Sequence, residues 1–198
     1  AGMLFISALN IPASAAEVPF SDVADSAWYF ESVERVYEEN WMNGTGNDRF
    51  SPDDSLTRAM LAVILWRIEG CPTTGQPAIF TDTAPNDWFA GGLSWCAEKG
   101  LFAGYPNGSF GPDDAVTREQ LAIVFFRYAE KTGAVPSGQA GHTTFKNGCP
   151  WAADACEWAN EHNLFTDAMG ALDLCAPASR AEIACWISIF HPKKLFLP

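Results

Sequence analysis

Apolar residues are concentrated in three runs, and each run is opened by a hydroxyl residue followed by arginine. If these runs are helical, apolar residues cover almost the whole helix surface, which is typical of a helix at the centre of a bundle. The runs are residues 61–68, 121–128 and 183–190. The pattern predicts three such helices that meet along a shared axis. The hydroxyl–arginine pairs that open them are Thr57-Arg58, Thr117-Arg118 and Ser179-Arg180.

An amphipathic segment precedes each apolar run. In residues 28–40, Tyr29, Val33 and Val36 recur on one face of a helix, and acidic residues occupy the other face. The pattern predicts a first helix in each repeat, packed outside the central one. Asp and Ser or Asn side chains just before this segment are typical N-caps. The predicted caps are Asp25-Ser26 and Asn86-Asp87.

The two patterns together form a repeat. Residues 20–67 match residues 80–127 without any insertion, and a looser third copy begins at Phe145. The third copy has Asn147 where the others have Asp, and it lacks their Phe-x-Pro loop. The residues shared by the first two copies are Phe20, Asp22, Trp28, Phe50, Pro52, Thr57, Arg58, Ala62 and Arg67, with counterparts Phe80, Asp82, Trp88, Phe110, Pro112, Thr117, Arg118, Ala122 and Arg127.

This repetition predicts an all-α fold, in which three tandem helix-loop-helix repeats form a pseudo-three-fold helical bundle. One helix pair cannot bury its own apolar face, so the three repeats are expected to fold as one cooperative unit and as a monomer. The predicted boundaries are 20–70, 80–132 and 145–191. Residues 1–15 are interpreted as the remnant of a signal peptide, because an apolar segment precedes the small-x-small sequence Ala13-Ser14-Ala15. The alternative is a disordered apolar tail.

Charge and cysteine content narrow the class of protein. The net charge of −12 argues against a nucleic-acid-binding surface and suits a soluble extracellular protein. No stretch is long and apolar enough to predict a membrane span. The six cysteines fit an exported protein, either as buried thiols or as disulfides. Cys156 and Cys185 fall at core positions, and the bridge considered first is Cys156 to Cys175.

The hydroxyl residue of each pair is explained by helix capping. Ser or Thr at the N-cap with Gln or Glu three residues later forms a capping box. Thr117 with Gln120 and Ser179 with Glu182 fit this pattern. Thr57 is followed by Met60, which cannot reach back, so repeat one is predicted to have the cap alone.

The arginine requires a separate explanation, because the helix dipole disfavours a cation at the first helical position. One interpretation is an ion pair with a nearby carboxylate, such as Asp54 or Asp114. The other is that the guanidinium and the free helix amides together receive an external anion. The residues alone leave these two interpretations open.

Other repeated residues favour a sugar-like ligand. Trp28, Trp88 and Trp151 offer flat apolar faces beside polar turns, although core anchoring is the alternative role. Asp22 and Asp82 could accept hydrogen bonds from sugar hydroxyls. Arg67 and its counterpart Arg127 have no equivalent in repeat three, and we interpret them as structural.

The order Phe-x-Asp, Trp, Gly, Phe-x-Pro, Thr-Arg and an apolar helix ending in Arg resembles the S-layer homology domain. The resemblance covers about residues 20–191, and three tandem copies are usual in that family. It implies a three-fold pseudo-symmetric helical bundle that binds a pyruvylated secondary cell-wall polysaccharide and so anchors proteins non-covalently to the bacterial wall.

The resemblance also implies the ligand-binding residues. The motif arginines contact the pyruvylated sugar, with help from the Asp and Trp near the first helix and from the Gly-rich loop. Because repeat three has lost the Asp and the loop, the groove that depends on its loop is expected to be the weakest. The predicted ligand-binding residues are Arg58, Arg118, Arg180, Asp22, Asp82, Trp28, Trp88, Trp151, Gly44, Gly104, Thr57, Thr117 and Ser179.

Two other classes of function compete with wall anchoring. A structural S-layer or adhesion component would bind peptidoglycan or protein partners. A fragment of a wall-anchored enzyme is also possible, but the chain shows no catalytic motif, and no cofactor or metal is predicted. The three histidines stand at unrelated repeat positions, and no Cys-x-x-Cys spacing is present.

Overall fold

The computed structural model describes residues 18–133, 145–165 and 172–191, so the predicted signal-peptide remnant lies outside the described part. The described residues form six α-helices and one parallel pair of two-residue strands, which confirms the all-α class. The helices are α1 (Phe30–Glu38), α2 (Arg58–Ile68), α3 (Ala90–Glu98), α4 (Arg118–Thr132), α5 (Ala153–Glu161) and α6 (Arg180–Phe190), and the strands are β1 (Phe145–Lys146) and β2 (Leu172–Asp173). A 3-10 turn, Pro150–Ala152, precedes α5. None of these described helices is long and apolar enough to cross a membrane.

The helices pair between repeats rather than within them. The first helix of each repeat packs on the second helix of the repeat before it: α3 on α2, α5 on α4 and, closing the circle, α1 on α6. At the closing pair, Ser188 Oγ donates a hydrogen bond to the carbonyl of Ser32. The three contacting pairs form the predicted three-fold bundle. The sequence pattern did not indicate that each pair is shared by two repeats.

Main-chain hydrogen bonds join the segments just before the second helices. Val116 N donates to Leu56 O at 2.9 Å, and Ala178 N donates to Val116 O at 2.8 Å. All three side chains are fully buried. These segments therefore meet at the centre of the bundle, which places the N-termini of α2, α4 and α6 close together.

The second helices meet through their side chains, as predicted for the central helices. Phe125 of α4 packs against Trp186 and Phe190 of α6, with ring centroids 5.4 and 4.9 Å apart. At the C-terminal end, the Tyr128 hydroxyl donates to Glu69 and contacts His191 Nε2 at 2.9 Å. Aromatic packing and one partly buried polar network thus hold the ends of the three helices together.

The predicted caps of the first helices are wrong. The observed N-cap positions are Tyr29 and Phe89, and neither makes a side-chain capping bond. Asp87 instead accepts a hydrogen bond from Ala84 N at 2.6 Å and so stabilises a tight turn before α3. The observed N-cap lies three or four residues after the predicted one in α1 and two or three residues after it in α3.

Candidate functional site

The hydroxyl residues cap the second helices as predicted. Thr57 accepts a hydrogen bond from the Met60 amide and has no reciprocal partner. The other two copies form complete capping boxes, Thr117 with Gln120 and Ser179 with Glu182. Their role toward a ligand stays a prediction.

The first amides of the second helices are not free. Arg58 N and Ala59 N donate to the carbonyls of Asp114 and Pro112, at 2.9 and 3.1 Å. The same arrangement recurs at the other two junctions, a junction being the place where the second helix of one repeat meets the loop of the next repeat. Arg118 N donates to Ala176 O, and Glu119 N donates to Leu174 O. Arg180 N donates to Asp54 O, and Ala181 N donates to Pro52 O. The suggestion that these amides help to receive an external anion is therefore wrong. Only the guanidinium side chains are left for that role.

Arg58 and Arg180 lie in matching environments at two different junctions. Arg58 donates from Nε to the carbonyl of Phe110 at 2.8 Å and from Nη2 to that of Ala103 at 3.0 Å. Arg180 donates from Nε to the carbonyl of Phe50 at 2.8 Å and from Nη2 to that of Asn43 at 2.7 Å. Each arginine thus holds the loop of the next repeat in the ring, with repeat one following repeat three.

The charges of these two arginines are buried, and neither forms a salt bridge in the described part of the chain. Arg58 is 6% exposed and Arg180 is 7% exposed. Their guanidinium carbons lie over aromatic rings, 4.8 Å from the Phe110 centroid and 4.6 Å from that of Phe50. Burial lowers the pKa of both groups because it destabilises the charged form, and nearby carboxylates oppose this shift without forming salt bridges. These carboxylates are Asp114 and Asp82 for Arg58, and Asp54 and Asp22 for Arg180. Within the described residues, two of the five N–H donors of each guanidinium are hydrogen-bonded.

Arg118 differs from the other two. Its Nε donates to Glu182 Oε1 at 2.7 Å, and its Nη1 donates to the carbonyl of Asp173 at 3.1 Å. The expected ion pairs with Asp54 or Asp114 do not form within the described residues. The altered loop of repeat three therefore faces Arg118 of repeat two, whereas Arg180 of repeat three faces the intact loop of repeat one.

Asp22 and Asp82 hold the loop of their own repeat. The Asp22 carboxylate accepts from Phe50 N and Ser51 N, both at 2.8 Å. Asp82 accepts from Phe110 N at 2.7 Å and from Gly111 N at 2.8 Å. Desolvation opposes ionisation, but these hydrogen bonds outweigh it and lower the pKa of both carboxyls. The carboxylates fix the two carbonyls to which Arg180 and Arg58 donate.

Gly44 and Gly104 are required by packing. A Cβ at Gly44 would lie 2.6 Å from the Phe20 ring and 2.7 Å from the carbonyl oxygen of Arg49. A Cβ at Gly104 would lie 2.6 Å from the Phe80 ring. The glycines let the loop backbone lie against an aromatic ring, and this brings the loop to the arginine.

The three repeated tryptophans are exposed, so the alternative role of core anchoring is wrong. Trp28, Trp88 and Trp151 are 45%, 65% and 59% exposed. Trp28 and Trp88 each rest edge-on against the following aromatic residue, at 5.3 and 5.4 Å between centroids. The indoles therefore present apolar surface to solvent.

One surface cavity of about 380 Å³ brings three of the predicted residues together. Arg180, Gly44 and Trp88 come from repeats three, one and two, respectively, and all line it. Sequence reasoning missed Met60, which is 38% exposed, and treated Arg67 as structural, yet both line the same cavity. The recurrence of Arg67 as Arg127 was the sequence feature that could have indicated a role for Arg67 in the site. Asp22, Trp28 and Thr57 are not part of this cavity lining.

All six cysteines are free thiols, so the bridge between Cys156 and Cys175 is not formed. Cys156 and Cys185 are buried, as predicted from their register. Cys175 lies instead near Cys149 and the Glu119 carboxylate, where the three potential ligand atoms are all within 4.8 Å of one another. Sequence reasoning missed this cluster because its members come from three separate elements.

Comparison with known proteins agrees with the repeat structure. The sequence profile of the S-layer homology domain matches residues 19–60 and 79–122. The match includes the Asp, Trp, Gly and Thr-Arg residues of the first two repeats. The third repeat lies outside it.

Several bacterial proteins are similar to the chain. It is 33% identical over 144 residues to an endoglucanase from Bacillus sp. (strain KSM-635), covering 71% of the chain and 15% of that protein. It is 31% identical over 111 residues to a cellulosome-anchoring protein from Acetivibrio thermocellus, covering 54% and 25%. It is 30% identical over 143 residues to a surface-layer 125 kDa protein from Lysinibacillus sphaericus, covering 69% and 12%. The chain thus spans a quarter or less of the length of these relatives. The family match and the surface-layer relative bear out the predicted association with the cell surface.

Proposed function

Because the chain is an S-layer homology domain protein, we propose that it anchors non-covalently to the bacterial cell wall by binding an anionic secondary polysaccharide, with a pyruvylated sugar as the recognised unit. The observation that carries this proposal is the buried guanidinium of Arg180, which lines an open cavity and forms no salt bridge within the described residues. The two carbonyls that it contacts orient it and do not neutralise its charge.

A carboxylate is the ligand group that fits this guanidinium best. The desolvated cation is less stable than it would be in water, and an incoming carboxylate would offset part of that cost. Arginine offers parallel N–H donors that match both oxygens of a carboxylate, which lysine cannot do. A pyruvate ketal carries such a carboxylate on a sugar ring.

The remainder of the cavity suits the sugar itself. The Trp88 indole and the Met60 side chain supply exposed apolar surface, and Gly44 leaves the loop backbone accessible beside them. A volume of about 380 Å³ lies within the usual range of small-ligand sites. Arg67 adds a second cation to the lining, which favours an anionic ligand further.

The ring arrangement supports two binding junctions of unequal composition. Arg58 repeats the geometry of Arg180, and by the three-fold repetition Trp151 corresponds there to Trp88. At the junction of Arg118 the counterpart of Trp88 is Trp28. The charge of Arg118 is already paired with Glu182. We therefore infer that the junctions of Arg180 and Arg58 bind the polymer and that the junction of Arg118 does not.

Binding to purified walls that retain their polysaccharide tests this proposal. Because Trp88 and Trp151 are exposed, replacing each by alanine should preserve the fold and lower affinity at least tenfold in the double variant. Trp28→Ala is the matched control and should bind like the wild type. Arg180→Lys should also weaken binding, with circular dichroism to verify folding.

The ligand chemistry is tested by removing the pyruvate from the same walls. Loss of binding supports the pyruvate ketal as the recognised group. Undiminished binding would assign the interaction to another wall component, such as peptidoglycan. An equal loss in Trp28→Ala and Trp88→Ala would contradict the inferred difference between the junctions.

A further inference from the structure

The junction of Arg118, where the arginine is paired with Glu182, contains a cluster of potential metal ligands. A carboxylate oxygen of Glu119 and the sulfur atoms of Cys149 and Cys175 all lie within 4.8 Å of one another. Glu119 is 5% exposed, Cys149 is half-buried and Cys175 is exposed. The cluster is thus anchored in the protein and open to solvent on one side.

The backbone holds these three residues in place. Glu119 lies in the first turn of α4, and its Oε2 accepts a hydrogen bond from Cys149 N at 3.0 Å. Cys175 N donates to Asp173 Oδ1, also at 3.0 Å. Because β1 pairs with β2, the turns that follow the two strands, and with them the two cysteines, are brought side by side. The cluster therefore does not depend on flexible side chains alone.

The ligand set is specific to this one junction. Repeats one and three have Ala59 and Ala181 at the position of Glu119, and repeats one and two have Asp53 and Asp113 at the position of Cys175. Glu119 of repeat two faces only repeat three, where both cysteines occur. All three departures from the repeat pattern therefore meet at one point.

We propose that Glu119, Cys149 and Cys175 bind one Zn²⁺ ion and thereby link repeat two to repeat three. Two thiolates and a carboxylate suit a borderline-soft divalent cation such as zinc. In a tetrahedral site with Zn–S of about 2.3 Å, neighbouring ligand atoms are about 3.5–3.8 Å apart, so small side-chain rotations suffice. Water would occupy the fourth position on the solvent side.

Binding requires both thiols to release their protons, and the ion supplies the necessary charge. In the absence of a cation, the buried Glu119 carboxylate would repel a thiolate formed beside it. A divalent cation reverses this effect, because it stabilises all three anionic ligands together.

The experiment measures Zn²⁺ binding to the full, reduced chain by competition with a chromogenic chelator. We expect one ion per chain, a higher melting temperature with Zn²⁺, and thiolate-to-metal charge-transfer absorption when Co²⁺ replaces it. Cys175→Ser and Glu119→Ala should each weaken binding at least tenfold, and alanine is the residue that the other repeats carry at the second position. Cys71→Ser removes an exposed thiol elsewhere and should leave binding unchanged.

Three results would overturn the proposal. The first is the absence of stoichiometric Zn²⁺ binding by the wild type. The second is undiminished affinity in Glu119→Ala, which would reduce the site to an ordinary dithiol. The third is a mass lower by two hydrogens, with Cys149 and Cys175 protected from alkylation in the isolated protein, because the two sulfurs would then form a disulfide.

Discussion

Arg118 Nε lies 2.7 Å from Glu182 Oε1, and this ion pair crosses the junction between repeats two and three. The other oxygen of the same carboxylate accepts a hydrogen bond from Ser179 N, also at 2.7 Å, and completes the cap of α6. One side chain therefore caps a helix and pairs with Arg118, whose counterparts Arg58 and Arg180 form no salt bridge within the described residues.

Removing this carboxylate should destabilise the fold. Glu182→Gln replaces a charged acceptor by a neutral one, and we expect the free energy of unfolding to fall by about 1–3 kcal/mol. A double-mutant cycle with Arg118→Met, measured by urea denaturation, should give a coupling energy of about 0.5–3 kcal/mol. The exposed pair of Glu98 and Lys99 is the control and should couple by less than about 1 kcal/mol. Equal coupling in both cycles would contradict a special role for the buried pair.

Gly104→Ala should destabilise the loop that Arg58 contacts. The new Cβ would lie 2.6 Å from the Phe80 ring and 2.8 Å from the carbonyl oxygen of Ser109, so ring and backbone would have to move. Such overpacking costs about 1–3 kcal/mol, which denaturant unfolding would detect. Gly75→Ala is the matched control, because nothing lies within 4 Å of its Cβ position. An equal loss of unfolding free energy in both variants would indicate a general effect of replacing glycine by alanine, and would contradict the role of the close packing at Gly104.

The carboxylates of Asp22 and Asp82 should make stability depend on acid pH. Their pKa values are lowered in the folded state, so the unfolded chain takes up protons first as the pH falls. Their contribution is present above the unfolded pKa of about 3.9 and is lost as the pH drops through the folded values. The stability difference between wild type and Asp82→Asn should therefore shrink below about pH 4. Asp113→Asn, at an exposed turn position, should show no such convergence.

His191 should add a second pH dependence nearer to neutrality. Burial lowers its pKa, and Arg35 acts in the same direction, whereas Glu69 opposes them. The neutral imidazole is thus favoured in the folded state, and its contribution is complete above the unfolded pKa of about 6.5 and is lost as the pH falls. Unfolding curves between pH 7.5 and 5 should show this loss in the wild type and not in His191→Asn. His162→Gln should behave like the wild type.

The sequence predicted the helices and the caps of the second helices because these depend on local pattern. The period of apolar residues identified the second helices, and the capping boxes of Thr117 and Ser179 formed as expected. The partners of the helices were not predicted, because amphipathic period shows that a face is buried and not what covers it. The exposure of Trp88 was left open for the same reason, since a tryptophan suits either a core or a surface.

The sequence predicted which residues belong to the candidate site better than it predicted how they are arranged. Sequence reasoning singled out Arg58, Arg118 and Arg180 but could not determine which loop each one faces. That relation depends on the order of repeats around the ring, which places the altered loop of repeat three against Arg118 and the intact loop of repeat one against Arg180. The group formed by Glu119, Cys149 and Cys175 was hidden because its residues are far apart in sequence.

The packing of α1 on α6 gives the chain a circular connectivity. A closed circle of repeats has no terminal repeat whose outer face must be capped, so repeat order matters less than completeness. A circular permutant that starts at repeat two and ends with repeat one should reach the same fold if a linker joins residue 191 to residue 18. A chain with two repeats would instead leave two apolar helix faces uncovered and should associate with further copies until the circle is complete.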